Sequence, residues 1–222
     1  GDVELVALVA LSATLKYPGG HRGVGPGTAV LSWRWWLLYA SFTLALVPLV
    51  AYSGSLAELS GVRGRWLYVS VAAFPLASGL GRPLLGALSD RLGRVRTVAA
   101  ALLSSLVAVA LSYMRGPVGL LGVLLVGLNG GALIPLYFAI VGDLYGERMS
   151  TSNTALIYTG KALTGLLAGA IAEAALADPL LARTLVLVAT VSSLVALIAS
   201  LGLSSSGVIL AGRPHLRGSQ GP

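Results

Sequence analysis

Six apolar runs, each long enough to cross a bilayer, divide this chain and leave it little alternative to a bundle of membrane helices. A helix crossing a ~30 Å hydrocarbon core needs about 20 mostly apolar residues. Runs of that kind lie at 35–54, 67–88, 97–114, 117–142, 153–176 and 184–203. Within lipid the backbone must satisfy its own hydrogen bonds, so each run is read as a helix. Composition agrees: 56% of the residues are hydrophobic and 10% charged, a mixture whose apolar surface a soluble domain could not cover. The predicted fold class is an all-α membrane protein, with a six-helix transmembrane bundle over 35–203. A shorter apolar piece at 3–15 lacks an initiating Met and a basic flank, and is read as the end of an earlier helix rather than a signal peptide. Residues 16–34 form a basic, glycine-rich linker, and 204–222 a polar tail expected to be disordered.

The formal net charge of +7 belongs to topology. Its basic residues lie in short loops between apolar runs, where no basic, aromatic-rich surface can be assembled, so nucleic acid is not an expected partner. One side of the bundle collects Lys16, Arg22, Arg34, Arg91, Arg94, Arg96, Arg148, Arg213 and Arg217; the other holds Arg63, Arg65, Arg115 and Arg183. Cytoplasmic loops near helix ends are enriched in Lys and Arg, which predicts a multi-pass protein of the cell membrane with a cytoplasmic C-terminus. The absence of cysteine removes disulfides and thiolate metal sites. His21 and His215 have no partner spacing, so no metal and no cofactor is expected. No His-Glu-x-x-His, Ser/His or paired-Asp arrangement appears at helical spacing, so enzymatic activity is not expected.

Between the second and third runs stands Gly86-Ala87-Leu88-Ser89-Asp90-Arg91-Leu92-Gly93-Arg94-Val95-Arg96. It resembles the loop motif G-x-x-x-D-R-x-G-R-[RK] of the major facilitator superfamily, departing at Val95 with Arg96 one place later. The resemblance implies a transporter working by alternating access, in which two six-helix bundles rock around a midplane site. The basic linker before the first full span, and the polar tail after the last, match the C-terminal half of that fold, so the spans correspond to helices 7 to 12. A missing N-terminal six-helix half, from the same gene or a separate chain, then becomes an expected partner beside the lipid bilayer.

Charges at mid-depth in a membrane are costly and usually functional. Arg82 lies eight residues before Asp90, and Lys161 eight after Asn153, about 12 Å in from the same face at 1.5 Å per residue. Two cations at one level suit an anion, the Arg fork taking a carboxylate and Lys acting as a point charge. Other roles stay open: Arg82 snorkelling toward the cytoplasm, or Lys161 pairing with an acid of the missing half. Here the resemblance narrows to the oxalate/formate antiporter-like branch, carried by Gly81-Arg82-Pro83, Gly86, Ser89-Asp90, Gly130-Gly131, Pro135, Gly142-Asp143, Tyr158 and Lys161. It implies that Arg82 and Lys161 hold a dicarboxylate, a small carboxylate substrate taken in dicarboxylate/monocarboxylate exchange of the oxalate/formate type, with Tyr158 walling the pocket. Related proton-coupled monocarboxylate transporters place an acid one turn before the arginine; this chain has Ser78 there. Anion exchange is therefore preferred, with proton-coupled uptake and a non-transporting membrane scaffold as the alternatives.

Asn129 and Tyr137 are further candidates for the substrate pathway, although Asn129 equally suits interhelical packing. Prolines 48, 75, 83 and 135 are expected to bend their helices, and the pairs Gly127/Gly131 and Gly165/Gly169 to give close-packing faces. Gly86, Asp90, Arg91, Gly93, Arg94 and Asp143 form the expected gating motif. In it Asp90 accepts from amides around 150–153 that open the fifth span, and Arg91 or Arg94 pairs with Asp143 or Glu147. The resemblance implies that such contacts lock the outward-open state.

Overall fold

The structure, a computed structural model, describes residues 23–202; the linker segment before Gly23, the apolar piece at 3–15 and the tail at 203–222 lie outside it. After a single turn, α1 (Pro26–Ala29), come α2 (Trp33–Ala45), α3 (Val47–Leu59), α4 (Arg65–Leu92), α5 (Arg94–Ser112) and α6 (Gly116–Tyr145). A 3-10 turn, Glu147–Met149, leads into α7 (Ser150–Tyr158), α8 (Gly160–Ala177) and α9 (Pro179–Gly202). All regular structure among the described residues is helical. Among the described residues six stretches are long and apolar enough to cross a membrane, with α2–α3 making the first and α7–α8 the fifth. The chain is thus built as a multi-pass, six-helix membrane bundle.

Two spans are interrupted, for different reasons. Pro48 occupies the first turn of α3; it has no N–H, and its ring clashes with the carbonyl four residues back, so α2 stops at Ala45. A second kink follows at Ser55, where φ is −134° and ψ 42°. In the fifth span the ladder tightens at Thr159: its N–H donates to Leu156 O at 3.2 Å and Ala162 N–H donates to Thr159 O at 3.0 Å, the i→i−3 pattern of a 3-10 step. Pro75, Pro83 and Pro135, expected to bend their helices, lie inside helices that continue through them.

Small residues bring the second and fourth spans into backbone contact. A Cβ built on Gly81 would stand 1.9 Å from Leu128 O, one on Gly131 2.1 Å from Ser78 O, and one on Gly127 2.9 Å from Phe74 O. Only glycine permits that approach, the usual membrane device where no hydrophobic drive presses helices together. The expectation for Gly127 and Gly131 thus has a specific partner. That for Gly165 and Gly169 is corrected: both face open space, and a Cβ on either would meet nothing within 4 Å.

Polar groups inside the bundle are paired across spans. Tyr137 OH lies 2.5 Å from Ser41 Oγ, which itself donates to Ser193 O at 2.9 Å, while Ser193 Oγ returns a bond to Ser41 O at 2.8 Å. This buried knot ties spans one, four and six. At the end opposite the arginine-rich turn, Arg183 Nε donates to Leu59 O at 3.2 Å and its guanidinium lies 4.8 Å from the centre of the Tyr113 ring. The Tyr113 hydroxyl donates to Arg183 O at 3.1 Å. Asp178 Oδ1 accepts from Leu180 N–H at 2.9 Å and Leu181 N–H at 3.3 Å, capping α9 with Pro179 as its first residue.

Candidate functional site

The second and fifth spans are the least covered of the six. In their most apolar stretches only 11% and 28% of residues are buried, against 61% in the fourth. Both pack on the central fourth span, and between them a cleft opens along α6. It has a volume of about 550 Å³ and is lined by Arg82, Ile134, Pro135, Phe138, Thr154, Ala155, Tyr158 and Lys161.

The two cations enter this cleft from different helices. Arg82 follows Gly81, whose contact with Leu128 O seats α4 directly on α6; the arginine itself is exposed and lines the cleft. Lys161 follows the tightened step at Thr159. That step is held from the first span, where Tyr39 OH lies 3.0 Å from Thr159 Oγ1, which donates to Leu156 O at 2.7 Å. Gly160 rests against Thr43, with 2.5 Å between a Cβ there and Thr43 Oγ1. One turn further Thr164 Oγ1 donates to Thr43 O at 2.7 Å.

Lys161 Nζ donates to Tyr158 OH at 3.1 Å and lies 5.3 Å from the ring centre. The ring in turn meets Phe138 edge-on, with centroids 5.7 Å apart. Among the described residues neither Arg82 nor Lys161 meets a carboxylate. The arrangement is a pair of uncompensated cations in a cleft whose remaining walls are mostly apolar. Chemically it can hold an anion; no group of three or more His, Cys, Asp or Glu that could hold a metal ion lies among the described residues.

Of the residues singled out from sequence, Arg82, Lys161 and Tyr158 come together here. Tyr137 and Asn129 do not. Tyr137 is fully buried in the serine knot, and Asn129 is buried with its Nδ2 donating to Ser104 Oγ at 2.9 Å, the packing role. Both point from the fourth span to its buried neighbours, because that helix is enclosed on most sides and only Ile134, Pro135 and Phe138 turn to the cleft. Ile134, Phe138, Thr154 and Ala155 went unnoticed in the sequence, and Pro135 was read as a helix bend and as part of the resemblance rather than as a cleft residue. The available signal was spacing: Phe138 is one turn beyond Ile134 and Pro135, and Thr154 one turn before Tyr158.

The arginine-rich turn forms part of its expected network. Gly93 links α4 to α5 with φ 89° and ψ 146°, a conformation open to glycine alone without strain of about 1–3 kcal/mol. Its N–H caps Ser89 O at 2.9 Å. Arg94 pairs with Asp143, and donates to Ala139 O at 3.0 Å as well. Gly146 repeats the Gly93 geometry at the end of α6, with φ 88° and ψ 147°.

The contact expected of Asp90 is not formed. The carboxylate is exposed and has no hydrogen-bond or ion-pair partner among the described residues. The chain enters α7 through the 3-10 turn, without a side-chain cap. What holds that helix start is the segment before α1: Val24 N–H donates to Tyr145 O at 2.8 Å, and Asn153 Nδ2 donates to Val24 O at 2.9 Å. Arg91 and Gly86 face outward from α4, with nothing within 4 Å of a Gly86 Cβ.

No family model matches the chain. Over 170 residues, 77% of its length, it is 42% identical to an uncharacterized 38 kDa protein in a 23S RNA operon of Thermoproteus tenax. It spans 44% of that relative's length.

Proposed function

We propose that this bundle is part of a secondary transporter for small organic anions, with Arg82 and Lys161 holding the anion's carboxylate groups. The observation that carries the reading is the convergence of two cations, from spans two and five, on one cleft with no carboxylate to neutralise them among the described residues. A membrane protein bears the cost of such charges where they meet a substrate. The resemblance of the 86–96 turn to the major facilitator motif supports transport over static binding, as does the Arg94–Asp143 pair joining the start of span three to the end of span four. The sparse cover of spans two and five leaves a face on which a second six-helix bundle would pack, as alternating access between two bundles requires. Exchange, rather than proton-coupled uptake, is favoured by Ser78, which puts a hydroxyl one turn before Arg82 where a proton-carrying acid would stand.

Reconstitution tests the activity. Proteoliposomes loaded with unlabelled malonate are expected to accumulate labelled malonate by counterflow, and Arg82→Gln to abolish it. Counterflow that persists in Arg82→Gln, or is absent from the parent protein, refutes the proposal. Orientation is tested separately. The Lys/Arg excess on the side of Arg91, Arg94, Arg96 and Arg148 supports a cytoplasmic location for that side, so a reporter fused after Pro222 is expected to be inaccessible to impermeant reagents outside the cell. Labelling from outside reverses the assignment.

A further inference from the structure

The cleft is far larger than two carboxylates require, and most of what surrounds the cations is apolar. Besides Arg82 and Lys161, the lobe nearer the arginine-rich turn has an apolar wall of Ile134, Pro135, Phe138 and Ala155, with Thr154 and Tyr158 as its other polar members. A second lobe, of about 510 Å³, opens from the same two cations toward the other end of the bundle, and Leu49, Val50, Phe74 and Pro75 contribute its apolar wall. Phe138 is half-buried and fixed in place by aromatic neighbours, with Phe42 at 6.1 Å and Tyr158 at 5.7 Å between ring centres. Its position is therefore set before any ligand arrives. A bare dianion of the oxalate kind would engage the cations and leave both apolar walls against water. Sites of several hundred cubic ångströms with apolar walls and a few convergent polar groups instead suit ligands that bury an apolar body and orient it by a charged head.

From these walls we propose that the ligand is an amphipathic carboxylate: its acid group sits on Arg82 and Lys161, and an aliphatic or aromatic body packs on Phe138, Ile134 and Pro135. This rests on the anion reading above and names the class of anion. Phe138 becomes the specificity-determining residue, since it is the largest apolar group presented to the first lobe and packs against Tyr158's ring rather than on a cation. The charged groups set whether an anion binds; Phe138 sets which.

The test compares ligands of equal charge and unequal apolar body, using the intact protein as its gene encodes it. Malonate against benzylmalonate, and acetate against butanoate and phenylacetate, compete with labelled malonate in proteoliposomes. Each methylene buried in the cleft is expected to improve competition about fourfold, equivalent to ~0.8 kcal/mol, and benzylmalonate to exceed malonate at least tenfold. Phe138→Ala is expected to bring the two within about threefold of each other, and Phe138→Leu, which keeps an apolar wall and most of the volume, to restore part of the difference. Should Phe138→Ala fail to fold, the ligand series on the parent and on Phe138→Leu decides the matter. If malonate competes as well as or better than benzylmalonate while Arg82→Gln abolishes both, the amphipathic class is wrong and the anion site stands. If none of these anions competes in the parent protein, both proposals fall together.

Discussion

Lys161→Ala is expected to weaken binding of a dicarboxylate by roughly ten- to a hundredfold, the 1.5–3 kcal/mol of a hydrogen bond to a charged group. The lysine is exposed to the cleft, so the loss falls short of that for a fully buried pair, where the partner is left stranded in low dielectric. A monocarboxylate needs one of the two cations, so its affinity relative to the dicarboxylate is expected to rise in the same variant. Arg82→Lys keeps the charge and removes the planar fork, and is expected to recover little. Tyr158→Phe removes the hydroxyl that Lys161 now meets at 3.1 Å and is expected to leave affinity within a few fold. Calorimetric titration of the purified protein with malonate and acetate reads all four comparisons. Unchanged dicarboxylate affinity in Lys161→Ala would remove the lysine from the site.

The largest effect on stability is expected from Gly131→Ala and Gly81→Ala. An added methyl would lie 2.1 Å from Ser78 O in the first and 1.9 Å from Leu128 O in the second, so the second and fourth spans must part by roughly an ångström to regain ordinary contact. Overpacking a well-fitted core costs about 1–3 kcal/mol and at times more; contact with rigid backbone, rather than a side chain that can turn aside, belongs at the top of that range. Gly165→Ala and Gly79→Ala are the matched controls. They meet nothing within 4 Å, and replacing a mid-helix glycine with alanine favours the helix by up to ~1 kcal/mol. Thermal unfolding in mild detergent, followed by circular dichroism, should therefore move in opposite directions for the two pairs. A Gly131→Ala protein as stable as its parent would show that the helices are not held at this distance.

The six spans were legible from the sequence because length and apolarity are summed over twenty residues, and no single side chain decides them. Most of their ends came out a few residues short, while the third and sixth were read slightly past their C-terminal ends. The first span reads as 35–54 in hydropathy and runs Trp33–Leu59 in the structure, since helices continue into interfacial residues that hydropathy does not count. Arg82 and Lys161 were legible too, as charges where lipid would exclude them. Tyr137 and Asn129 misled for a physical reason: a polar group on a membrane helix is equally well satisfied by another helix, and only the packing reveals that Ser41 and Ser104 supply the partners. Phe138 went unnoticed for the converse reason, since an aromatic ring in an apolar helix carries no signal until its neighbours are known. The unused Asp90 has the same origin, because a cap depends on how the chain enters the next helix, and the 3-10 turn there is not marked by proline or glycine within it.

The glycine contacts between the second and fourth spans have a mechanical side. Backbone touching backbone cannot slide by side-chain adjustment, so α4 and α6 translate as one beam, with Arg82 fixed to it. Lys161 belongs to a different beam: Gly160 and Thr164 fasten its helix to Thr43 on the first span. The separation of the two cations is thus a gauge of how the beams lie against each other, and the buried knot of Ser41, Tyr137 and Ser193 is where they are pinned. On the proposed reading, an anion that bridges the cations would hold the beams at one setting.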